Sequence, residues 1–215
     1  LLRIFKRDTS FTTVNQSARL HYQINSKNKM YIGIVSTESN NLLNENINPI
    51  ISDYKTQHYT IAYQYLKSQS NNILFPIKSK LYLEAGFGKK TTPTNSENQA
   101  QYSIDALKIF LLNNKNSFFI KVNGSNLITD TYFENELLRF GGINSIRGFE
   151  ENSLFASLFG VINTEYRYQL NNSIYLHTII DAGYFENKIT KSKEKLFGYG
   201  FGFEILTKAG LLRLN

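Results

Sequence analysis

The stretch FGYGFGFEI, residues 197–205, decides how this chain is read. Phe197, Tyr199, Phe201 and Phe203 share one parity; Gly198, Gly200, Gly202 and Glu204 share the other. Successive side chains of a β-strand point to opposite faces. The stretch is therefore a strand with one aromatic face and one small or polar face. A helix reading fails, because the apolar residues do not recur at i, i+3 and i+4.

The same alternation runs outward in both directions. In VINTEYRYQL (161–170), Ile162, Tyr166, Tyr168 and Leu170 oppose Asn163, Glu165, Arg167 and Gln169. In SIYLHTIIDAGYF (173–185), Ile174, Leu176, Ile180 and Tyr184 oppose Ser173, Tyr175, His177 and Asp181. HYTIAYQY (58–65), SARLHYQIN (17–25) and KSKLYLEAGFG (78–88) behave likewise. In QYSIDALKIF (101–110) the parity slips near Ala106, which predicts a bulge. The pattern gives about ten strands and the start of an eleventh, with no helix.

The connections carry a second signal. Turn-like links fall near Asn25, Lys67, Asn113, Leu170 and Thr207, and a short first link falls near Asp8. Longer links are expected over 38–53, 91–99, 129–154 and 186–195. Up-and-down strands with short turns at one end and long loops at the other characterise outer-membrane barrels. A strand of ~10 residues tilted about 45° crosses the apolar band, roughly 25 Å tall. A soluble β-sandwich also alternates, but it explains neither the loop asymmetry nor the tyrosines on the apolar face. The expected fold is all-β: part of an antiparallel up-and-down transmembrane β-barrel.

Composition narrows the class further. The chain has 215 residues, no cysteine, no tryptophan, 14 Tyr, 16 Phe and a net charge of +7. Without cysteine there is no disulfide framework and no Cys-based metal site. The basic residues are scattered, the densest group being KITKSKEK (188–195), and read as solvated loops and strand ends. No nucleic-acid motif is present, so no nucleic-acid partner is expected. No apolar run reaches the ~18 residues of a membrane helix. With no initiator Met at Leu1 and a strand-like end at GLLRLN, residues 1–215 read as one barrel domain truncated at both ends.

One span lacks strand alternation, and it holds FGGINSIRGFEEN (140–152). These residues resemble the loop motif of the BamA/TamA superfamily of outer-membrane assembly and translocation factors, the bacterial surface antigen family. The hallmark is a Gly-rich run followed by an aliphatic-Arg-Gly-aromatic tetrad, here Ile146, Arg147, Gly148 and Phe149. NTEYRYQL (163–170) resembles the family's Glu-x-Arg strand, and IIDAGYF (179–185) its aromatic-x-Asp-x-Gly strand, with Ile179 in place of the aromatic. GYGFGFEILTKAGLLRLN (198–215) resembles the closing Gly-rich strand and the start of the next, without the proline that often precedes Gly210. Order and spacing match over 140–215; upstream the likeness is only barrel-like.

The resemblance implies a barrel of roughly sixteen strands, an even number as such barrels have. This chain would run from near the fifth strand into the fifteenth, without the first–last strand seam and any N-terminal POTRA domains. It also implies that the long loop, 128–158, folds back into the lumen from the outer face. Parity independently points Glu165 and Asp181 to the polar face, so Arg147 is expected to meet one or both in a latch. Gly141, Gly142 and Gly148 permit tight turns, and Phe149 packs the tip.

No Gly-x-Ser-x-Gly elbow, phosphate loop or HExxH motif appears. His21, His58 and His177 lack clustered spacing. No catalytic residue, metal or cofactor is expected. The implied function is non-enzymatic insertion or translocation of proteins at the bacterial outer membrane. Expected partners are outer-membrane lipid and lipopolysaccharide, unfolded outer-membrane or secreted protein substrates, and periplasmic or lipoprotein accessory subunits. A two-partner secretion pore, the barrel of a patatin-like lipase fusion and a simple porin remain alternatives; POTRA repeats or a Gly-x-Ser-x-Gly domain upstream would separate them.

Overall fold

The computed structural model describes residues 2–7, 10–42, 50–69, 73–208 and 210–214. Alternating segments form β1 (Leu2–Arg7), β2 (Phe11–Gln23), β3 (Asn28–Asn41), β4 (Tyr54–Ser68), β5 (Ile77–Thr91), β6 (Ser96–Leu111) and β7 (Asn116–Ile128). A short 3-10 turn (Glu134–Glu136) and two three-residue strands, β8 (Leu138–Phe140) and β9 (Leu154–Ala156), interrupt the series. It resumes with β10 (Leu158–Gln169), β11 (Ile174–Asn187), β12 (Ser192–Thr207) and β13 (Gly210–Leu214). Eleven strands make one antiparallel sheet in the order β1 to β7, then β10 to β13, while β8 pairs only with β9. Successive strands of the large sheet thus pair in order, β7 with β10 across the inserted β8 and β9, and among the described residues β1 and β13 are its edges.

The two faces divide as parity requires. Phe197, Tyr199 and Phe201 are 69%, 91% and 83% exposed, and Tyr166 and Tyr168 are exposed beside them. Phe203 is half-buried. Asn163, Glu165, Arg167 and Glu204, on the other parity, are buried. In a water-soluble protein this would be inverted: aromatics would be inside and charges outside. An apolar exterior around a polar interior is the arrangement that lipid outside selects.

Three expectations need correction. No bulge lies at Ala106: β6 keeps an unbroken register with both β5 and β7, and the irregularity sits at Lys67/Ser68 in β4. The apparent slip arises because the inner face of β6 changes from polar Gln101, Ser103 and Asp105 to apolar Leu107 and Ile109. The links expected over 91–99 and 186–195 shrink to 92–95 and 188–191, no longer than the turns at 112–115 and 170–173. The strands there run 14 to 16 residues, past the ~10 needed to cross the membrane. Beyond the bilayer both faces are wet, so alternation disappears from the sequence while the ladder continues. The extended links that remain are 42–53, of which 43–49 lie outside the described residues, and 129–157. Finally, the link after Lys67 is no simple turn. It runs over 69–76, with 70–72 outside the described residues, and it buries Leu74 and Phe75. The first link at Asp8 and the link residue Ala209 also fall outside the described residues.

Candidate functional site: the inserted loop

The segment 129–157 lies against the polar face of the sheet and touches most of its strands. Arg139 of β8 stacks over Phe11 of β2, with its guanidinium carbon 5.4 Å from the ring centroid. Asn135 donates to the Ser39 hydroxyl of β3 at 2.9 Å, and its carbonyl accepts from the Tyr54 hydroxyl of β4 at 3.2 Å. Lys121 of β7 donates to the Asn144 carbonyl at 2.6 Å, and Asn163 of β10 to the Ser145 carbonyl at 2.7 Å. One segment reaches strands from β2 to β12 only if the sheet curves around it. The polar face is therefore concave, and the segment fills the concavity.

Arg147 is buried beneath the loop. Its Nε donates to Asp181 Oδ2 at 2.8 Å, and its Nη2 to Asp181 Oδ1 at 2.6 Å. Its backbone N–H donates to the same Oδ2 at 3.0 Å. Asp181 on β11 thus receives a bidentate fork and a main-chain bond together, which fixes both the side chain and the local backbone. The Nη1 of Arg147 reaches Glu165 Oε1 on β10. The other oxygen of Glu165 accepts from Arg167 Nε at 2.7 Å. All four residues are buried. The cluster carries two positive and two negative charges, the balance that makes burial of ions tolerable.

Backbone geometry brings the arginine there. Gly141, Gly142 and Gly148 have φ of +114°, +89° and +90°, values that a Cβ disfavours. Ser145 N–H donates to the Gly142 carbonyl at 3.0 Å, which closes a turn before the arginine. Ile146 is fully buried with Phe140, Ala156, Phe159, Val161, Phe185 and Leu196; Phe149 packs against this cluster only partly buried. Ile146 is thus the deepest apolar anchor of the tip, with Phe149 packed beside it. The reason is geometric: Ile146 precedes Arg147 on the stretch pressed to the sheet, whereas Phe149 follows the exposed Gly148.

Two features escaped the sequence reading. Gly198 on β12 sits against the loop, and a Cβ there would collide with the Arg147 carbonyl oxygen. Its signal was present: it is a glycine on the inner parity, opposite Asp181 in the register. A second ion cluster holds the start of the loop. Lys90 of β5, with side-chain exposure of 0%, lies 2.8 Å from Glu97 Oε1 and 2.9 Å from Glu136 Oε1, and donates to the Thr131 carbonyl at 2.6 Å. Gln99 adds a bond to Glu136 Oε2 at 3.0 Å. Burial pushes the Glu136 carboxyl up from its ordinary range, and Lys90 pulls against that shift. Lys90 is thus no solvated strand end. Its inner parity with Glu84 and Lys80 pointed inward, but its partner on the loop is remote in sequence. His58 and His177 are buried and His21 is exposed. Among the described residues, no group of side chains is arranged to hold a metal ion.

BamA from Haemophilus ducreyi lacking POTRA domains 1–3 superposes with a TM-score of 0.72 at 14% identity, over 94% of this chain and 50% of that one. CdiB from Acinetobacter baumannii superposes with a TM-score of 0.60 at 16% identity, over 94% of this chain and 38% of that one. The chain thus spans half or less of these solved proteins, and at such identities the likeness is one of fold. Among curated proteins, none matches the sequence. The model of the haemolysin secretion/activation protein family ShlB/FhaC/HecB matches residues 7–205. With its outward aromatics, inward charges and inserted Arg-Gly-Phe loop, the chain belongs to that family of outer-membrane β-barrels, in the same Omp85 superfamily as BamA and CdiB.

Proposed function

We propose that this chain is the membrane-embedded barrel of a non-enzymatic factor that moves unfolded protein into or across the bacterial outer membrane. The observation that carries the reading is the loop drawn onto the concave face by Arg147. A passive pore gains nothing from a glycine-hinged segment clamped by ions at both ends. A translocation barrel needs an interior that is closed at rest and yields when cargo engages. Residues 128–158 are that internal element, Arg147, Glu165 and Asp181 are its latch, and the Gly141, Gly142 and Gly148 hinges set its path. Cargo would engage through exposed strand edges, whose unpaired N–H and C=O groups template an incoming strand. Outer-membrane lipid and lipopolysaccharide surround the aromatic face. Periplasmic or lipoprotein subunits would deliver the cargo.

A second, narrower reading is export of one dedicated secreted partner. Membership of the haemolysin secretion/activation family is compatible with it as well as with the first reading. Deleting the protein in its host and comparing outer-membrane and secreted proteins separates the two. Broad loss of outer-membrane barrels supports assembly. Loss of one secreted protein, with the barrels intact, supports dedicated export. An unchanged pair of profiles would remove both.

A further inference from the structure

We infer that Phe75 and Arg167 are positioning residues of the latch, so that the connection between β4 and β5 sets the loop from the opposite end of the barrel; this rests on the latch reading above. The connection over 69–76 belongs to the turn end of the sheet, together with the links at 112–115 and 170–173. It is closed like a neck: Gln69 N–H donates to the Pro76 carbonyl at 2.9 Å, and Gln69 Nε2 to the Phe75 carbonyl at 2.6 Å. From that neck Leu74 and Phe75 enter the concave face and are buried with Ile109, Phe119 and Tyr175. Ile73, on the same segment, stays exposed.

Phe75 does more than fill space. Its ring centroid lies 4.8 Å from that of Tyr175, and these rings form two walls of a cage around the Arg167 guanidinium. The guanidinium carbon lies 4.0 Å from the Phe119 centroid, 5.1 Å from Phe75 and 5.4 Å from Tyr175. Aromatic faces attract a cation and restrict how it turns. Arg167, so held, places Nε at 2.7 Å and Nη2 at 2.7 Å from Glu165 Oε2. The remaining oxygen, Oε1, is the one that takes Arg147. The two inserted segments, one from each end of the barrel, therefore meet at Glu165 and Arg167, two positions apart on the inner face of β10.

Removing the Phe75 ring opens one wall of the cage. Arg167 then gains rotamers, Glu165 loses a fixed partner on Oε2, and water enters beside the ion cluster. Water weakens every ion pair that it reaches, and Arg147 loses part of its hold. Displacing the connection from the turn end is, for Glu165, the same event as deleting Phe75.

The test uses the full-length protein in outer-membrane vesicles, with a glutamate-specific protease cutting the loop after Glu150 or Glu151. Heat-modifiable electrophoretic mobility reports that the barrel is folded. Arg147→Ala sets the rate of the released loop. Phe75→Ala should speed cleavage about fivefold, a factor within the range of coupled neighbours. Ile73→Ala should leave the wild-type rate. The double variant Phe75→Ala with Arg147→Ala should cut no faster than Arg147→Ala alone, because both act through one carboxylate. Phe75→Leu, which fills the space without a ring face, should also speed cleavage, and it serves if Phe75→Ala does not fold. Wild-type cleavage in both Phe75 variants, a multiplicative effect in the double variant, or full rescue by leucine overturns the inference. If Arg147→Ala itself leaves the loop protected, the latch reading fails instead.

Discussion

Each guanidinium nitrogen of Arg147 donates to a carboxylate, and that arrangement makes its substitutions informative. Arg147→Ala would leave Asp181 buried without its cation and Glu165 with Arg167 alone, a loss of order ~3–5 kcal/mol for a broken buried pair. The strand ladder does not depend on it, so the expected phenotype is a protease-sensitive loop on a barrel that still folds. Arg147→Lys should restore protection only in part, because an ammonium cannot reproduce the fork onto Asp181. The swap Arg147→Asp with Asp181→Arg should beat the worse single variant in the same protease assay; equal or poorer protection would mean that the pair is not the latch. Lys90 obeys the same logic at the other end of the loop. Lys90→Ala strands Glu97 and Glu136 together, and should lower stability to urea by ~3–5 kcal/mol, read from the folded band. An unchanged urea midpoint would mean that water enters and screens that cluster.

At the level of elements, β12 is where sequence and site are coupled most directly. Its outer parity offers Phe197, Tyr199 and Phe201 to lipid, while its inner parity is stripped to glycine where the loop presses in. Gly198→Val is expected to keep the strand, since valine favours extended backbone. Its Cβ would nonetheless collide with the Arg147 carbonyl oxygen and push the loop off Asp181. Cleavage after Glu150 or Glu151 should then approach the Arg147→Ala rate. A loop as protected as wild type would show that β12 shifts to make room. The strands also differ in how far they outrun the bilayer: β10 has 12 residues, and β6 and β12 have 16 each. The longer strands bring their end residues, Glu97 among them, level with the loop that they help hold.

For the whole molecule, the governing fact is the inversion of inside and outside. Phe201→Arg, on a lipid-facing position, should cost ~2–4 kcal/mol if it lies near the bilayer midplane and less toward either surface. Urea unfolding in lipid vesicles measures this, and no cost would argue that lipid does not cover that face. Orientation has its own check. Protease applied to intact cells should nick the links at 42–53 and 188–191 before the connection at 69–76. The reverse order would turn the barrel over in the membrane.

The sequence by itself determined the strand class, the up-and-down order and the facing of nearly every strand residue, because period-two alternation is local and a membrane barrel enforces it. It also singled out Arg147, Glu165 and Asp181, since two of them declare their face by parity and the third sits in a motif. The tertiary structure decided what alternation cannot encode. The strands continue past the bilayer, where both faces are wet and the pattern is silent. Leu107 and Ile109 face inward because Leu74 and Phe75 arrive there from a distant connection, so an apolar residue on the polar parity is a packing event rather than a bulge. Lys90 meets Glu136 across 46 positions of chain, and Gly198 meets Arg147 only once the loop is inside. Such contacts depend on the curvature of the sheet around its loop, a property of all the strands together that no single segment carries.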